Sequence, residues 1–137
     1  MKYHYDECPR WGKLVNEAKR ERVEGTLRLV PSVRTVLDLG CGDGMVSSGI
    51  LAKGMDVTGV DLSRVAIKHF EGKKVVANMA DLPFPDRSFD LILCAEVLEH
   101  LPGATFEEAL EEIERGAARY VVISTPNEEY LPAGLPD

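Results

Sequence analysis

The stretch Arg34-Thr35-Val36-Leu37-Asp38-Leu39-Gly40-Cys41-Gly42-Asp43-Gly44 changes character halfway along. Its first half carries Val36, Leu37 and Leu39, a short apolar run with a β-branched member that reads as a buried strand. Its second half has glycine at every other position, 40, 42 and 44, where the backbone can turn tightly and a ligand can come close. Residues 45–53 then read as a helix, with Gly54 as its stop. Strand, glycine turn and helix make the opening unit of a nucleotide-binding α/β fold.

The glycine spacing and the flanking charges narrow the ligand. A dinucleotide fingerprint needs Gly-x-Gly-x-x-Gly; here the third glycine comes one residue early and Met45 holds the expected place. Asp38 ends the strand and Asp43 lies inside the turn, so a pyrophosphate there would meet like charge in a partly desolvated cleft. A ligand with an ammonium and a sulfonium and no phosphate would be attracted, and S-adenosylmethionine is such a ligand. Residues 55–60 read as a second strand ending at Asp61. An acidic side chain about twenty positions past the turn is where such folds grip a ribose hydroxyl pair, because a carboxylate accepts from both hydroxyls. Ser63 is available to cap the helix that follows, which leaves Asp61 for the ribose.

The segment Val36-Leu37-Asp38-Leu39-Gly40-Cys41-Gly42-Asp43-Gly44 resembles the first motif of class I S-adenosylmethionine-dependent methyltransferases, in the broad group that includes the ubiquinone- and menaquinone-biosynthesis enzymes. The resemblance runs from Val36 to Asn127 and implies an α/β fold, a three-layer Rossmann-like sheet of five mainly parallel strands in order 3-2-1-4-5 flanked by helices. It implies a cofactor set of Asp38, Gly40, Gly42, Asp61, Leu62, Asn78, Met79 and Cys94. Within it, the Asn78 carbonyl would accept from the adenine amine and the Met79 N–H would donate to a ring nitrogen, with Asp81 as the rival for the amine. Methionine stands where the family has a small residue. Cys94 ends the fourth strand, at residues 90–95, where the resembled enzymes border the methionine moiety. As a nucleophile Cys94 has no base partner close in sequence.

Glu96-Val97-Leu98-Glu99-His100 is open to two readings. Glu96, Glu99 and His100 fall at i, i+3 and i+4, so one helical face would present all three, half of a divalent-metal site. Small-RNA 2′-O-methyltransferases resemble this pattern and add a histidine downstream. The other histidines here are His4 and His69, so no metal is expected. His100 is then a candidate general base, since imidazole ionises nearest neutrality, and Glu96 is the second candidate.

The remaining chain supplies scaffold. Residues 1–12 hold Tyr3, Tyr5 and Trp11 and read as an arm, packed on the core or serving as a lid. Residues 13–30 read as a helix with Leu14, Ala18, Val23, Leu27 and Val30 on its apolar side; Lys19, Arg20 and Arg22 alternate with Glu17, Glu21 and Glu24 as a solvated face. Gly49 suggests close packing of the second helix on the sheet. Residues 64–71 read as a helix with Ala66, Ile67 and Phe70 inward and His69 on the surface, and 73–77 as the third strand. Pro83 and Pro85 stiffen the loop at 78–90. Thr105 and Glu108 read as a capping box for a helix that turns Phe106, Ala109, Leu110 and Ile113 inward and closes at Gly116. Residues 120–124 read as the fifth strand, and 128–137 as an irregular tail.

The chain of 137 residues reads as a single domain: arm and helix at 1–30, core at 31–127, tail at 128–137. Net charge of −7 argues against a large nucleic-acid footprint, and no apolar run reaches the ~20 residues of a membrane span. Three cysteines without metal or redox spacing suggest reduced thiols in a cytoplasm. The expected activity is methyl transfer by in-line displacement to a small-molecule acceptor; the alternatives are a non-catalytic cofactor-binding or partner module and an RNA 2′-O-methyltransferase-like enzyme. Family members add two further strands beside the fifth, so its edge would be exposed. The chain is accordingly expected to be a fragment or to have that edge covered by a partner, such as a second copy.

Overall fold

The structure is a computed structural model that describes residues 17–125. Ten elements follow one another: α1 (Glu17–Leu29), β1 (Thr35–Leu39), α2 (Met45–Ala52), β2 (Asp56–Asp61), α3 (Arg64–Ile67), β3 (Lys73–Val76), β4 (Phe89–Ala95), a 3-10 turn (Leu98–His100), α4 (Gly103–Gly116) and β5 (Ala117–Ser124). The strands form one sheet in the order β3-β2-β1-β4-β5, and every ladder is parallel. The expected order 3-2-1-4-5 is therefore the observed one.

Side chains of a strand alternate between faces, and β1 and β4 bury both. Val36, Leu91 and Leu93 pack with Ile50 of α2 and Ile67 of α3, while Leu37, Leu39, Ile92 and Cys94 pack with Ala109 and Ile113 of α4. This two-sided burial is why β4 reads as an unbroken apolar run. The order in which strands are added reverses between β1 and β4, since β2 and β3 extend the sheet on one side of β1 and β4 and β5 on the other. The register sets Leu39 beside both Val60 and Cys94, so β1, β2 and β4 end level with one another. In open parallel sheets that switch point is where a crevice forms.

Several local expectations are corrected. Gly49 makes room for α1 rather than the sheet: a Cβ there would sit 2.6 Å from Leu27 Cδ1. α3 is only four residues long because Phe70 turns back into the core, where Cβ atoms at Gly44, Gly59 and Gly72 would each come within 2.8 Å of its ring. α4 begins at Gly103 with Pro102 at its N-cap, and Phe106 N–H donates to the Pro102 carbonyl at 2.8 Å. Thr105 is thus inside the first turn and makes no capping box. Ala109 and Ile113 of α4 are buried, but Phe106 and Leu110 are each 37% exposed.

β5 starts at Ala117, three residues before the expected start, because α4 runs straight into it through Gly116, whose missing side chain lets Ile92 approach. Tyr120, Val121 and Ile123 of β5 are each more than two-fifths exposed, as expected of a sheet edge. No helix among the described residues is long and apolar enough to cross a membrane. The arm at 1–12, residues 13–16 of the first helix and the tail at 128–137 lie outside the described residues.

Candidate functional site

The glycine turn is left-handed at each of its glycines: φ is +67° at Gly40, +53° at Gly42 and +84° at Gly44. Alternate glycine spacing is the sequence trace of that backbone. The turn is tied to β2, with the Gly40 and Cys41 N–H groups both donating to the Val60 carbonyl, at 2.7 and 3.1 Å. Above it lies a cavity of about 600 Å³ at the carboxyl ends of β1, β2 and β4, with Asp38, Gly40, Gly42, Asp61, Leu62 and Ala95 among its walls.

Asp38 and Asp61 are both more than nine-tenths buried. Ser47 of α2 donates its hydroxyl proton to Asp38 Oδ2 at 2.5 Å. Burial nonetheless pushes the Asp38 carboxyl up from 3.8 to about 7, the Ser47 bond opposing the shift and the nearby Asp61 charge adding to it. Asp61 accepts from Gly42 N–H through Oδ2 and from Ser63 N–H through Oδ1, both at 2.9 Å. Ser63 caps α3 by accepting from Ala66 N–H at 2.9 Å, which leaves Asp61 out of that task. The carboxylate expected only to face a ribose therefore also holds the glycine turn in shape. Leu62 beside it is 58% exposed, an apolar ledge at the cavity wall.

Other expected residues are rearranged. Asn78 and Met79 line the cavity, but Asn78 Oδ1 already accepts from Ala80 N–H at 2.9 Å and the Met79 side chain is buried in the core. Local Asx turns of this kind are inexpensive to form and compete with any outside donor. Cys94 is fully buried on the α4 side of the sheet, and its neighbour Ala95 lines the cavity in its stead. Burial also pushes the Cys94 thiol up to about 12, which removes it as a nucleophile.

The helical face proposed for Glu96, Glu99 and His100 does not form. Glu96 leaves β4 with φ +54°, donating its N–H to the Ser124 carbonyl at 2.8 Å, and only Leu98–His100 winds into a 3-10 turn. Among the described residues no group of three or more His, Cys, Asp or Glu side chains is arranged to hold a metal ion. His100 stands at the cavity wall with Nε2 3.6 Å from Glu99 Oε1.

The helix expected over residues 13–30 forms as α1, and its part in the cavity wall is what no local pattern shows. Arg22, Val23 and Thr26 of α1 also line the cavity, and Arg22 Nη1 pairs with Glu96 Oε2 at 3.2 Å across 74 residues of sequence. Alternating charges had marked this helix as solvated. Arg22 and Thr26 share one side of it, four residues apart, but nothing local says that this side faces the cavity. Among the described residues of the wall, four carboxylates (Asp38, Asp43, Asp61, Glu96) face one guanidinium, Arg22.

A glycine turn at the switch point of an all-parallel 3-2-1-4-5 sheet, with an acidic residue ending β2, defines a Rossmann-like nucleoside-binding domain. The spacing of its glycines excludes the dinucleotide version. The chain belongs to the methyltransferase domain family, whose profile matches residues 37–119, more than half of its length.

It is 34% identical over 108 residues to the Mycobacterium tuberculosis protein named "Probable S-adenosylmethionine-dependent methyltransferase Rv3030", a match covering 73% of this chain and 39% of that one. To a ubiquinone biosynthesis O-methyltransferase of Nitrosomonas europaea it is 35% identical over 82 residues, 52% of this chain and 34% of the other. The crystal structure of the PH0226 protein from Pyrococcus horikoshii shares its fold, with a TM-score of 0.79 at 22% identity over 95% of this chain and 64% of that one. The chain thus spans about two-fifths or less of the length of these curated relatives.

Proposed function

We propose that this chain binds S-adenosylmethionine in the cavity and directs its methyl group to a small-molecule acceptor. The observation that carries the reading is the pair of buried carboxylates, Asp38 and Asp61, flanking a left-handed glycine turn in a wall dominated by negative charge. Such a wall favours a ligand with cationic centres and disfavours phosphate. The residues fit the group: Asp61 would hold the ribose diol, Asp38 the ammonium, Arg22 the carboxylate, and the Asn78–Met79 edge the adenine.

When bound, the cofactor supplies a methyl group on sulfonium, which is already an activated leaving group. The chain's part is alignment of the acceptor in line with that methyl group. His100 is the candidate to take a proton from a weakly acidic acceptor, with Glu99 close enough to orient it; Glu96 is already committed to Arg22. Methyl transfer from labelled cofactor across a panel of phenols, amines and carbon acids tests the activity. Tight cofactor binding without transfer to any acceptor would favour the non-catalytic module. Glu96 stands outside the Leu98–His100 turn, which favours the small-molecule reading over an RNA 2′-O-methyltransferase-like one.

The Asp38 reading carries a pH prediction. Only its anion attracts an ammonium, and with the carboxyl at about 7 the free protein holds a proton there at lower pH. Binding then releases that proton, so affinity for S-adenosylhomocysteine is expected to rise about tenfold between roughly pH 5.5 and 7.0. The free protein behaves oppositely: its folded-state value lies above the ordinary 3.8, so this group's contribution to stability is lost as pH climbs through about 7. Calorimetry in buffers of different ionisation heat reads the released proton, and Asp38→Asn should abolish it. A pH-independent affinity in the unmutated protein would remove Asp38 from the ammonium site.

The exposed β5 side chains support a homo-oligomer in which a second copy covers that edge, and light scattering of the full chain tests this.

A further inference from the structure

The loop between β3 and β4 reaches the cavity at one end and is held at the other by two side chains of α4. Arg115 donates from Nε to Glu112 Oε1 at 2.8 Å and from Nη2 to Glu112 Oε2 at 2.9 Å, a two-pronged pair. The same guanidinium donates to the Leu82 carbonyl at 3.2 Å, the Phe84 carbonyl at 2.6 Å and Asp86 Oδ1 at 3.0 Å. Glu112 Oε2 in turn accepts from Leu82 N–H at 2.7 Å. Both polar groups of Leu82 are therefore held by one ion pair, and Arg115 keeps the Glu112 carboxyl below the usual carboxylate range.

From Leu82 back to the cavity the chain has little freedom. Asp81 N–H donates to the Asn78 carbonyl at 3.0 Å and Ala80 N–H to Asn78 Oδ1 at 2.9 Å, which closes residues 78–81 into a turn. The Met79 and Leu82 side chains are both 6% exposed and anchored in the same core cluster. The turn is thus a short rigid bracket with one end in the cavity wall and the other on α4. Three backbone or carboxylate acceptors besides Glu112 need a planar fork of donors, which lysine lacks.

We propose that Arg115, seated on Glu112, is a positioning residue for the ligand's purine, setting the Asn78–Met79 edge in the cavity wall through the Leu82 peptide. The inference rests on the cofactor reading above. It concerns recognition of the base: a wall edge built to pair with an amino-purine discriminates strongly against a base lacking that amine, and loses the discrimination when displaced.

The test titrates S-adenosylhomocysteine and S-inosylhomocysteine, in which the 6-amino group is an oxo group, into the full chain by calorimetry. Wild type is expected to prefer the adenine compound by about tenfold or more. In Arg115→Met its Kd should rise by about tenfold while the inosine compound changes by less than about twofold, so the preference collapses. Arg115→Lys should fall between the two, and it carries the test if the methionine variant fails to fold, with circular dichroism reporting folding. A preference kept at the wild-type ratio in the folded variants would overturn the proposal. So would equal weakening of both compounds, which is what a merely structural role gives. Failure of wild type to bind either compound would instead strike the cofactor reading, and this inference with it.

Discussion

Asp61→Ala is expected to weaken binding of S-adenosylhomocysteine by about a hundredfold or more, which corresponds to roughly 2.7 kcal/mol. Two losses combine in that figure. The carboxylate would no longer accept from the ribose hydroxyls, and bonds of this charge-assisted kind are about twice as strong as neutral ones. It would also release Gly42 N–H and Ser63 N–H, each now held at 2.9 Å, so the glycine turn would keep its backbone bonds to Val60 but lose its side-chain tie to β2. The two are separable. A 2′,3′-dideoxy analogue removes the ribose contribution without touching the turn, so wild type should bind it far more weakly than the parent compound. The alanine variant should hardly distinguish the two. Calorimetry on both proteins with both ligands gives the cycle, and a variant that still prefers the diol as strongly as wild type would remove Asp61 from the ribose.

Gly40→Ala is expected to destabilise the fold by about 3 kcal/mol and to eliminate measurable cofactor binding. Its φ of +67° is a left-handed conformation, which costs an L-residue roughly 1–2 kcal/mol. The added methyl would also sit 2.5 and 3.0 Å from the two Val97 methyls and 3.3 Å from the Val97 Cβ. Because the Cβ itself is close, a new Val97 rotamer cannot relieve the contact, and the backbone after Glu96 must move. Glu96 and Val97 also line the cavity, so stability and binding should fall together. Gly54 supplies the control: its φ is +87°, but nothing lies within 4 Å of the position a Cβ would take. Gly54→Ala should show the conformational cost alone, about 1 kcal/mol, with binding intact. Thermal melts and calorimetry of the two variants measure the difference, and equal losses in both would refute the steric part of the argument.

Four of the corrections trace to packing or contacts between segments far apart in the chain. Cys94 and Ala95 are adjacent at the end of a strand buried on both faces. Alternation says they point opposite ways, but it does not say which way the cavity lies. The Glu96–His100 face assumed a helix, and the Glu96 N–H instead joins the Ser124 carbonyl of β5, which forces the turn. Phe106 and Leu110 follow the apolar stripe of α4, yet how far that stripe is covered depends on how α4 lies on β4 and β5, and both stay partly exposed beside the buried Ala109 and Ile113. Arg22 looked like one charge among many on a solvated helix and became a wall of the site only when α1 packed on α2 and brought it to Glu96.

What the sequence determined by itself is the class of backbone and its ligand end. Alternate glycines at 40, 42 and 44 dictate a left-handed turn, the apolar runs dictate strands covered on both sides, and Asp38 and Asp61 at strand ends set the sign of the charge there. These are local properties, written in spacing and side-chain type. Tertiary structure alone decided which polar groups remain available to a ligand. Hydrogen-bond partners such as Gly42 for Asp61, Ser47 for Asp38, Glu96 for Arg22 and Leu82 for Glu112 are chosen by packing across the sheet, over separations that no local pattern records.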